Sequence, residues 1–113
     1  MTSDEFICGR LVMLAWGVAG NISFPACCCV MFCVRTAVEQ NGDQDWLRVI
    51  EERMPACIVR PDTRNPDFIN ILTVVDSIYS GEKVDILTNG ATFWTEAPGR
   101  EQVAVVGQMR LYR

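Results

Sequence analysis

The feature that most constrains the fold is a helix-forming segment that is apolar on every face. Each residue from 24 to 34 is apolar or proline, and three consecutive cysteines lie among them. A helix that is apolar all round is covered by its neighbours on all sides. We therefore predict that this helix lies at the centre of the protein. A chain of 113 residues is long enough to surround it.

A membrane span is the alternative for such a segment, and it requires roughly 20 continuous apolar residues. The best candidate, residues 11–34, is interrupted by Gly17, Gly20, Asn21, Ser23 and Pro25. These residues favour two helices joined by a turn. We therefore predict that the chain has no membrane span.

The first helix is predicted to begin near Ser3, because Thr2 and Glu5 have the spacing of a capping box. Gly17 and Gly20 are predicted to end it. Apolar residues recur along this helix at intervals of three and four, which gives it one apolar stripe. The stripe consists of Ile7, Leu11, Leu14 and Val18.

The second helix is predicted to start at the N-cap Ser23 with Pro25 in its first turn, and to run to about Gln40, where Asn41 and Gly42 stop it. Asp43 is the predicted cap of a short third helix, which Pro55 ends. Residues 56–64 are predicted to form a loop. The apolar residues of the third helix are Trp46, Leu47, Val49 and Ile50.

A fourth helix is predicted from Asn65 and Pro66 onwards, with Gly81 just past its end. Turn signals and short β-prone pieces follow, at residues 91–95, 103–106 and 108–112. Helices followed by a small sheet indicate a single α+β domain over residues 1–113. The predicted apolar face of the fourth helix is Phe68, Ile71, Leu72, Val75 and Ile78.

The six cysteines are predicted to be buried, reduced thiols. The chain has no histidine and no C-x-x-C pair, so the usual zinc-ligand spacings are missing. Cys29 and Cys33 are four apart, which is the one spacing that a metal could use. Free cysteine is otherwise a small and frequently buried hydrophobe. We predict no metal and no cofactor.

The charge pattern disfavours a nucleic-acid partner and a secretion signal. The chain carries 14 acidic and 10 basic side chains, a net charge of −4, with no basic cluster. Phosphate neutralisation requires concentrated Lys and Arg, so we predict no nucleic-acid binding. Asp4 and Glu5 occupy the place where a signal peptide would be positively charged. We therefore expect synthesis in the cytoplasm without a signal peptide.

Residues 16–23 have the sequence Trp-Gly-Val-Ala-Gly-Asn-Ile-Ser and precede the apolar helix. This segment resembles the Tyr-Gly-Glu-Ala-Arg-Gly-Glu-Ser motif of a cell-wall hydrolase family that includes the spore-cortex-lytic enzymes and many phage lysins. That family also has a C-terminal signature: Gly, then Asp-x-x-Thr-x-Gly-Ala, an aromatic pair, and a closing Gly-x-x-x-Phe-Tyr. The matching residues here are Gly81, Asp85, Thr88, Gly90, Ala91, Phe93, Trp94, Gly107 and Tyr112.

The resemblance implies a small lysozyme-like domain of about four helices and a short C-terminal β-sheet. It also implies a general acid that protonates the glycosidic oxygen of peptidoglycan, but Val18 stands at that position. A carboxyl group there would have a raised pKa, because the helix dipole and desolvation both disfavour its charge. Valine has no proton to donate. One base change converts a Glu codon into a Val codon, so the departure can be natural or introduced.

Asp85 and Glu96 are candidate substitutes for the missing acid, because the resemblance places their region at the cleft. The candidate substrate-binding residues are Thr88, Asn89, Phe93 and Trp94. Thr88 and Asn89 have an alternative interpretation as turn formers. Aromatic rings can stack on sugars but are more often in the core. We favour the core for Trp16 and leave both interpretations open for Phe93 and Trp94.

Two functional hypotheses agree with these observations. The first is a peptidoglycan hydrolase, a muramidase or lytic transglycosylase, which is inactive if nothing replaces the acid missing at Val18. The second is a non-catalytic glycan-binding or structural protein of a virion or phage tail on the same fold. The expected partners are the peptidoglycan glycan strand and other virion proteins. Virion assembly or release at lysis would deliver such a protein without a signal peptide.

Overall fold

The computed structural model describes residues 3–42, 45–57 and 59–113. Within these ranges the chain forms helices first and a small antiparallel sheet afterwards, which confirms the predicted α+β class. The elements are α1 (Asp4–Ala19), α2 (Phe24–Asn41), α3 (Trp46–Arg53), α4 (Pro66–Tyr79), β1 (Gln102–Val106) and β2 (Met109–Tyr112).

Side-chain caps begin the first three helices. The Ser3 hydroxyl accepts a hydrogen bond from the backbone N–H of Phe6, so Ser3 rather than the predicted Thr2 is the N-cap of α1. Ser23 caps α2, as predicted. The N-cap of α3 is Asp45, whose carboxylate accepts from the backbone N–H of Arg48. The predicted caps Thr2 and Asp43 lie outside the described residues. Because α3 starts after Asp45, the assignment of its cap to Asp43 was wrong.

The end of α1 differs from the prediction by one glycine. The helix continues through Gly17 to Ala19, and Gly20 follows as its C-cap with a backbone N–H bond to the Trp16 carbonyl. Gly17 therefore does not end α1. A single glycine costs a helix only about 1 kcal/mol, which the packing of a buried helix can offset.

The apolar helix α2 lies at the centre of the fold, as its composition predicted. It packs against α1, α3 and α4 and also contacts β1. Its residues from Ala26 to Val34 are all buried, including four cysteines. Among the described residues, no helix is long and apolar enough to cross a membrane. The hydrophobic core is thus formed around α2 by the other helices.

The buried face of α4 is narrower than predicted. Phe68, Ile71, Val75 and Ile78 are buried, but Leu72 is 46 % exposed. Leu72 follows Ile71, and one residue turns an α-helix by about 100°. That rotation carries Leu72 past the edge of the apolar stripe. Its assignment to the buried face was therefore wrong.

The C-terminal sheet is a hairpin of β1 and β2, which confirms two of the three predicted β pieces. Residues 91–95 do not form the third strand. Phe93 makes only an isolated bridge to Tyr112. Thr92 and Phe93 both donate their backbone N–H groups to the Tyr112 carbonyl, and the Tyr112 N–H donates to the Phe93 carbonyl. Pairing of this segment with β2 is therefore confined to one position.

All six cysteines are free thiols, but one of them is exposed. Cys8, Cys27, Cys28, Cys29 and Cys33 are buried, as predicted. Cys57 is exposed because it lies in the loop between α3 and α4. The prediction of burial was therefore wrong for Cys57 alone.

Candidate functional site

A pocket of about 390 Å³ lies beside the turn that joins α1 to α2. The turn carries the segment that resembles the hydrolase motif. Pockets of this size can hold a small ligand or a single sugar unit. The described residues that line the pocket are Trp16, Gly17, Gly20, Asn21, Val59 and Asn65.

Trp16 forms a fixed wall of this pocket. Its side chain is only 7 % exposed, and its indole N–H donates to the Arg60 carbonyl at 3.1 Å. Its ring packs edge-on against Phe68 with the ring centroids 5.2 Å apart. These contacts agree with the interpretation of Trp16 as a core residue. One edge of the ring still borders the pocket.

Gly20 is required for the close approach of Trp16. A Cβ atom at Gly20 would lie 2.7 Å from two atoms of the Trp16 ring and 2.5 Å from its carbonyl oxygen. Real Cβ atoms do not approach other atoms so closely. The glycine therefore allows the indole to cover the end of α1 and to shape the pocket.

Two amide side chains supply the polar groups of the pocket. The Asn65 Oδ1 atom accepts from the backbone N–H of Asp67 and caps α4, so its NH2 group is held in a fixed direction. Asn21 is exposed at the turn. Amide groups both donate and accept hydrogen bonds, as the hydroxyl and acetamido groups of a sugar require.

Val18 lies one residue past the pocket residue Gly17 and is partly buried against the core. It therefore packs as the apolar stripe predicted. The described lining of the pocket contains no Asp or Glu side chain. The turn thus has groups that can bind a ligand but no group that can donate a catalytic proton.

Asp85 is occupied within its own turn. Its Oδ1 atom accepts from the backbone N–H groups of Leu87 and Thr88, each at 2.9 Å, and its Oδ2 atom accepts from the Thr88 hydroxyl. Thr88 is fully buried. The carboxylate and the hydroxyl therefore stabilise the turn, and a ligand could reach Thr88 only if the turn rearranged.

Asn89 and Glu96 lie at the surface. Asn89 and Gly90 both have positive φ angles, 52° and 78°, and the N–H of Ala91 bonds the Thr88 carbonyl at 3.0 Å. This is a tight turn of the kind that favours Asn-Gly. The Asn89 amide also donates to the Val103 carbonyl at 3.2 Å. The interpretation of Asn89 as a turn former agrees with these contacts.

Phe93 and Trp94 are half-buried beside two arginines. The guanidinium carbon of Arg53 lies 3.9 Å from the Phe93 ring centroid and 5.4 Å from that of Trp94. Arg100 lies 3.1 Å from the Phe93 centroid. Sequence reasoning missed both arginines, because nothing in their local pattern links α3 to the loop before β1. Binding of sugar by the aromatic pair stays a prediction.

The buried thiols are poor nucleophiles. Burial raises the pKa of Cys28 to about 11 and the pKa values of Cys27 and Cys29 to about 12. Burial also raises the pKa of Cys33, and the charge of Cys29 adds to this effect. Within the described parts of the chain, no three Cys, Asp or Glu side chains are grouped to hold a metal ion.

Comparison of the chain with protein-family models, with curated proteins and with solved structures finds no match in any of the three. The likeness to the cell-wall hydrolases therefore depends on the motif residues alone.

Proposed function

We propose that this protein binds the glycan strand of peptidoglycan at the pocket beside the α1–α2 turn and does not cleave it. The observation that carries this proposal is the lining of the pocket, which combines an aromatic edge and two amides with no described carboxylate. An aromatic edge and amide groups are suited to recognition of a neutral sugar.

The motif resemblance supports the choice of ligand. Its first segment forms the turn at this pocket, and the family it resembles acts on peptidoglycan. N-acetyl sugars present hydroxyl and acetamido groups to the amides of Asn21 and Asn65. A pocket of about 390 Å³ has room for one such sugar unit. The remaining sugars of a strand would lie along the surface.

The positions of the carboxylates support binding without cleavage. General acid catalysis requires a proton donor within hydrogen-bond reach of the leaving oxygen. Val18 has no such group, and both oxygens of Asp85 accept bonds within its own turn. Glu96 is exposed, so it is the one candidate acid of the sequence analysis with a free path to a ligand. Of the two candidate acids, Glu96 alone is thus left for hydrolysis.

Sedimentation with purified sacculi tests the binding proposal. We expect the wild-type protein to pellet with sacculi, and Asn21→Ala to bind about fivefold more weakly, since one hydrogen bond contributes about 1 kcal/mol. Asn70→Ala is the matched control, because Asn70 is an exposed amide on α4 away from the pocket. Absence of pelleting by the folded wild type would contradict the proposal.

Turbidity measurements separate binding from cleavage. We expect no lysis of permeabilised cells by the wild type and a gain of lysis by Val18→Glu, which restores a carboxyl at the family position. Lysis by the wild type that is lost in Glu96→Gln would instead establish the hydrolase hypothesis. A folded Val18→Glu variant that causes no lysis would count against the proposed placement of the glycan strand at this pocket.

A further inference from the structure

Another pocket, of about 430 Å³, lies between α2 and the segment 83–87 that follows α4. On the α2 side it is lined by Phe24, Cys28 and Phe32. These residues are spaced by four, so they share one face of the helix. Cys28 and Phe32 are themselves buried in the fold. The described linings of this pocket and of the pocket at the α1–α2 turn have no residue in common, so the two are separate candidate sites.

Exposed aliphatic side chains line the other side of this pocket. Val84 is 73 % exposed and Ile86 is 86 % exposed. Leu87 completes this side and is partly buried against the core. Removal of apolar surface from water is favourable, and exposed apolar surface beside a pocket is typical of a binding site. A ligand that covers Val84 and Ile86 therefore gains free energy from both.

The segment that carries these side chains is fixed near both of its ends. The Lys83 N–H donates to the Ser77 carbonyl at 3.0 Å, and the Lys83 carbonyl accepts from Nη1 of Arg35 at 2.8 Å. At the other end, the Leu87 N–H donates to Oδ1 of Asp85 at 2.9 Å. These bonds form the pocket without a ligand, which lowers the ordering cost of binding.

Lys83 is the one charged residue in the described lining, and it is also the one lysine of the chain. The salt bridges recorded among the described residues do not include it. Burial raises the pKa of Cys28, and the charge of Lys83 opposes this effect, so the ammonium group acts on the wall of the pocket. The acidic neighbours Glu82 and Asp85 are not in the described lining. The pocket is therefore apolar with one positive group.

This combination disfavours most classes of ligand. A peptide or a sugar brings polar groups that cost free energy when they are buried without partners. The side chains of the described lining that can form hydrogen bonds are Lys83 and Cys28, and a thiol is only a weak donor. A hydrocarbon chain needs no such partners. A single anionic group at its end would be matched by the Lys83 ammonium.

We propose that this pocket binds the hydrocarbon chain of a fatty acid, with the carboxylate at Lys83. The single negative charge of a carboxylate matches the single positive charge of the lysine, and the chain covers Val84 and Ile86. The proposal is independent of glycan binding, because the two pockets have different lining residues. Failure of the protein to pellet with sacculi would leave it standing, and the reverse also holds.

NMR titration tests the site, with sodium octanoate as the probe at concentrations below micelle formation and constant ionic strength. Because Lys83 is the one lysine, 13C-lysine labelling gives a single Cε signal, which belongs to this pocket. We expect a saturable shift of this signal with octanoate. Sodium acetate, which has the carboxylate without the chain, should give none. The affinity should rise about fourfold for each CH2 group added from hexanoate to octanoate.

Two variants separate the charge from the apolar surface, with the amide signals of residues 84–87 reporting binding. Lys83→Gln should weaken octanoate binding about threefold, because an exposed ion pair is partly screened, and should leave octanol binding unchanged. Ile86→Ala should weaken binding of both probes about fivefold, because less apolar surface is covered. Leu72→Ala is the matched control, since Leu72 is an exposed aliphatic residue outside the described lining.

The contrary outcomes are equally specific. A shift that does not saturate, or octanoate binding that is unchanged in Ile86→Ala, would overturn the proposed site. Ile86 is largely exposed, so its truncation leaves the folded core intact. Binding of octylammonium as tight as that of octanoate would overturn the carboxylate assignment. A dimer that Ile86→Ala dissociates and octanoate does not, seen by sedimentation velocity, would assign this surface to a second copy of the chain instead.

Discussion

Three glycines of the first helical region have three different surroundings. An added Cβ atom at Gly9 would meet nothing within 4 Å, and at Gly17 it would meet Pro55 at 3.5 Å. At Gly20 it would collide with Trp16. The sequence presents three similar glycines, but only Gly20 is required by packing. Its neighbour Trp16 is also the wall of the proposed glycan pocket.

Alanine substitutions at Gly20 and Gly9 should therefore have opposite effects on stability. We expect Gly20→Ala to lower the free energy of unfolding by about 1–3 kcal/mol, because the methyl group overpacks against the Trp16 ring. Gly9→Ala should raise it by about 0.5–1 kcal/mol, because it only stiffens an open helical position. Urea denaturation measures both. A gain in stability for Gly20→Ala would contradict the close contact.

The ion pair between Arg10 and Glu51 connects α1 to α3. Two hydrogen bonds join the groups, at 2.7 and 2.9 Å. The hydrogen bond from Arg10 holds the pKa of Glu51 below its usual value of 4.5. The pair therefore stabilises the fold above about pH 4.5 and loses this effect as the pH falls through the lower pKa of the folded state.

We expect Glu51→Gln to reduce stability at neutral pH by less than about 1 kcal/mol, because the pair is largely solvated. The difference in the free energy of unfolding between Glu51→Gln and the wild type should shrink towards zero in acid, because Glu51 is then protonated. Urea denaturation at neutral and acidic pH tests this expectation. Glu52→Gln is the control, since Glu52 pairs at 3.8 Å with Arg48 of the same helix. A difference that persists in acid would mean that Glu51 contributes through packing instead.

At the scale of elements, α2 explains the unusual cysteine content of the chain. Residues 26–34 of the helix are all buried, so they must be apolar and compact, and free cysteine satisfies both conditions. Burial also raises the pKa values of these thiols, which suppresses the reactive thiolate. Cys57 differs because it lies in a loop rather than in a helix.

Thiol labelling of the native protein should therefore modify Cys57 alone. With a neutral alkylating reagent we expect one rapidly labelled thiol in the folded state and all six after denaturation. Mass spectrometry counts the labels. Cys57→Ser should abolish the rapid label and reduce the number of thiols labelled in denaturant from six to five. Rapid labelling of a cysteine of α2 would contradict the burial of that helix, and rapid labelling of Cys8 would contradict its burial in α1.

At the scale of the whole molecule, the packing around α2 couples stability to alkaline pH. Five buried thiols have pKa values above the usual 9.0, with Cys8 at about 12 because of burial and a hydrogen bond with Asp76. Burial and the hydrogen bond to Asp4 also raise the pKa of Tyr79 to about 12. These groups stay protonated in the folded state at a pH where the unfolded chain has lost their protons.

We therefore expect stability to be fully present below pH 9.0 and to fall as the pH rises from there towards 11 or 12. Each buried thiol should contribute about 1.4 kcal/mol per pH unit once the unfolded state is ionised. Urea midpoints under reducing conditions, at roughly pH 8 to 10, measure the slope. In Cys33→Ala the free energy of unfolding should fall less steeply with pH, by about 1.4 kcal/mol per pH unit, because one fewer thiol loses its proton on unfolding. A flat profile would contradict burial of the thiols.

Much of the helical part could be predicted, because its signals are local. Ser23, Pro25 and Gly42 mark the ends of α2 by backbone chemistry that acts within a few residues. The candidate site was less accessible to prediction. The pocket at the α1–α2 turn includes Val59 and Asn65, which come from the loop before α4 and from its N-cap. No local pattern shows that these residues return to the turn.

The sequence by itself determined the helices, the central position of α2 and the absence of an acid at Val18, because periodicity, caps and residue chemistry are properties of short segments. Only the tertiary structure decided that Asp85 serves its own turn and that Gly20 accommodates Trp16. It also brought Arg53 and Arg100 to one ring. The Asp85 and Gly20 contacts join residues two to four positions apart and depend on the local path of the backbone. The approach of Arg53 and Arg100 to one ring depends on how distant segments pack, which requires the three-dimensional arrangement of the whole core.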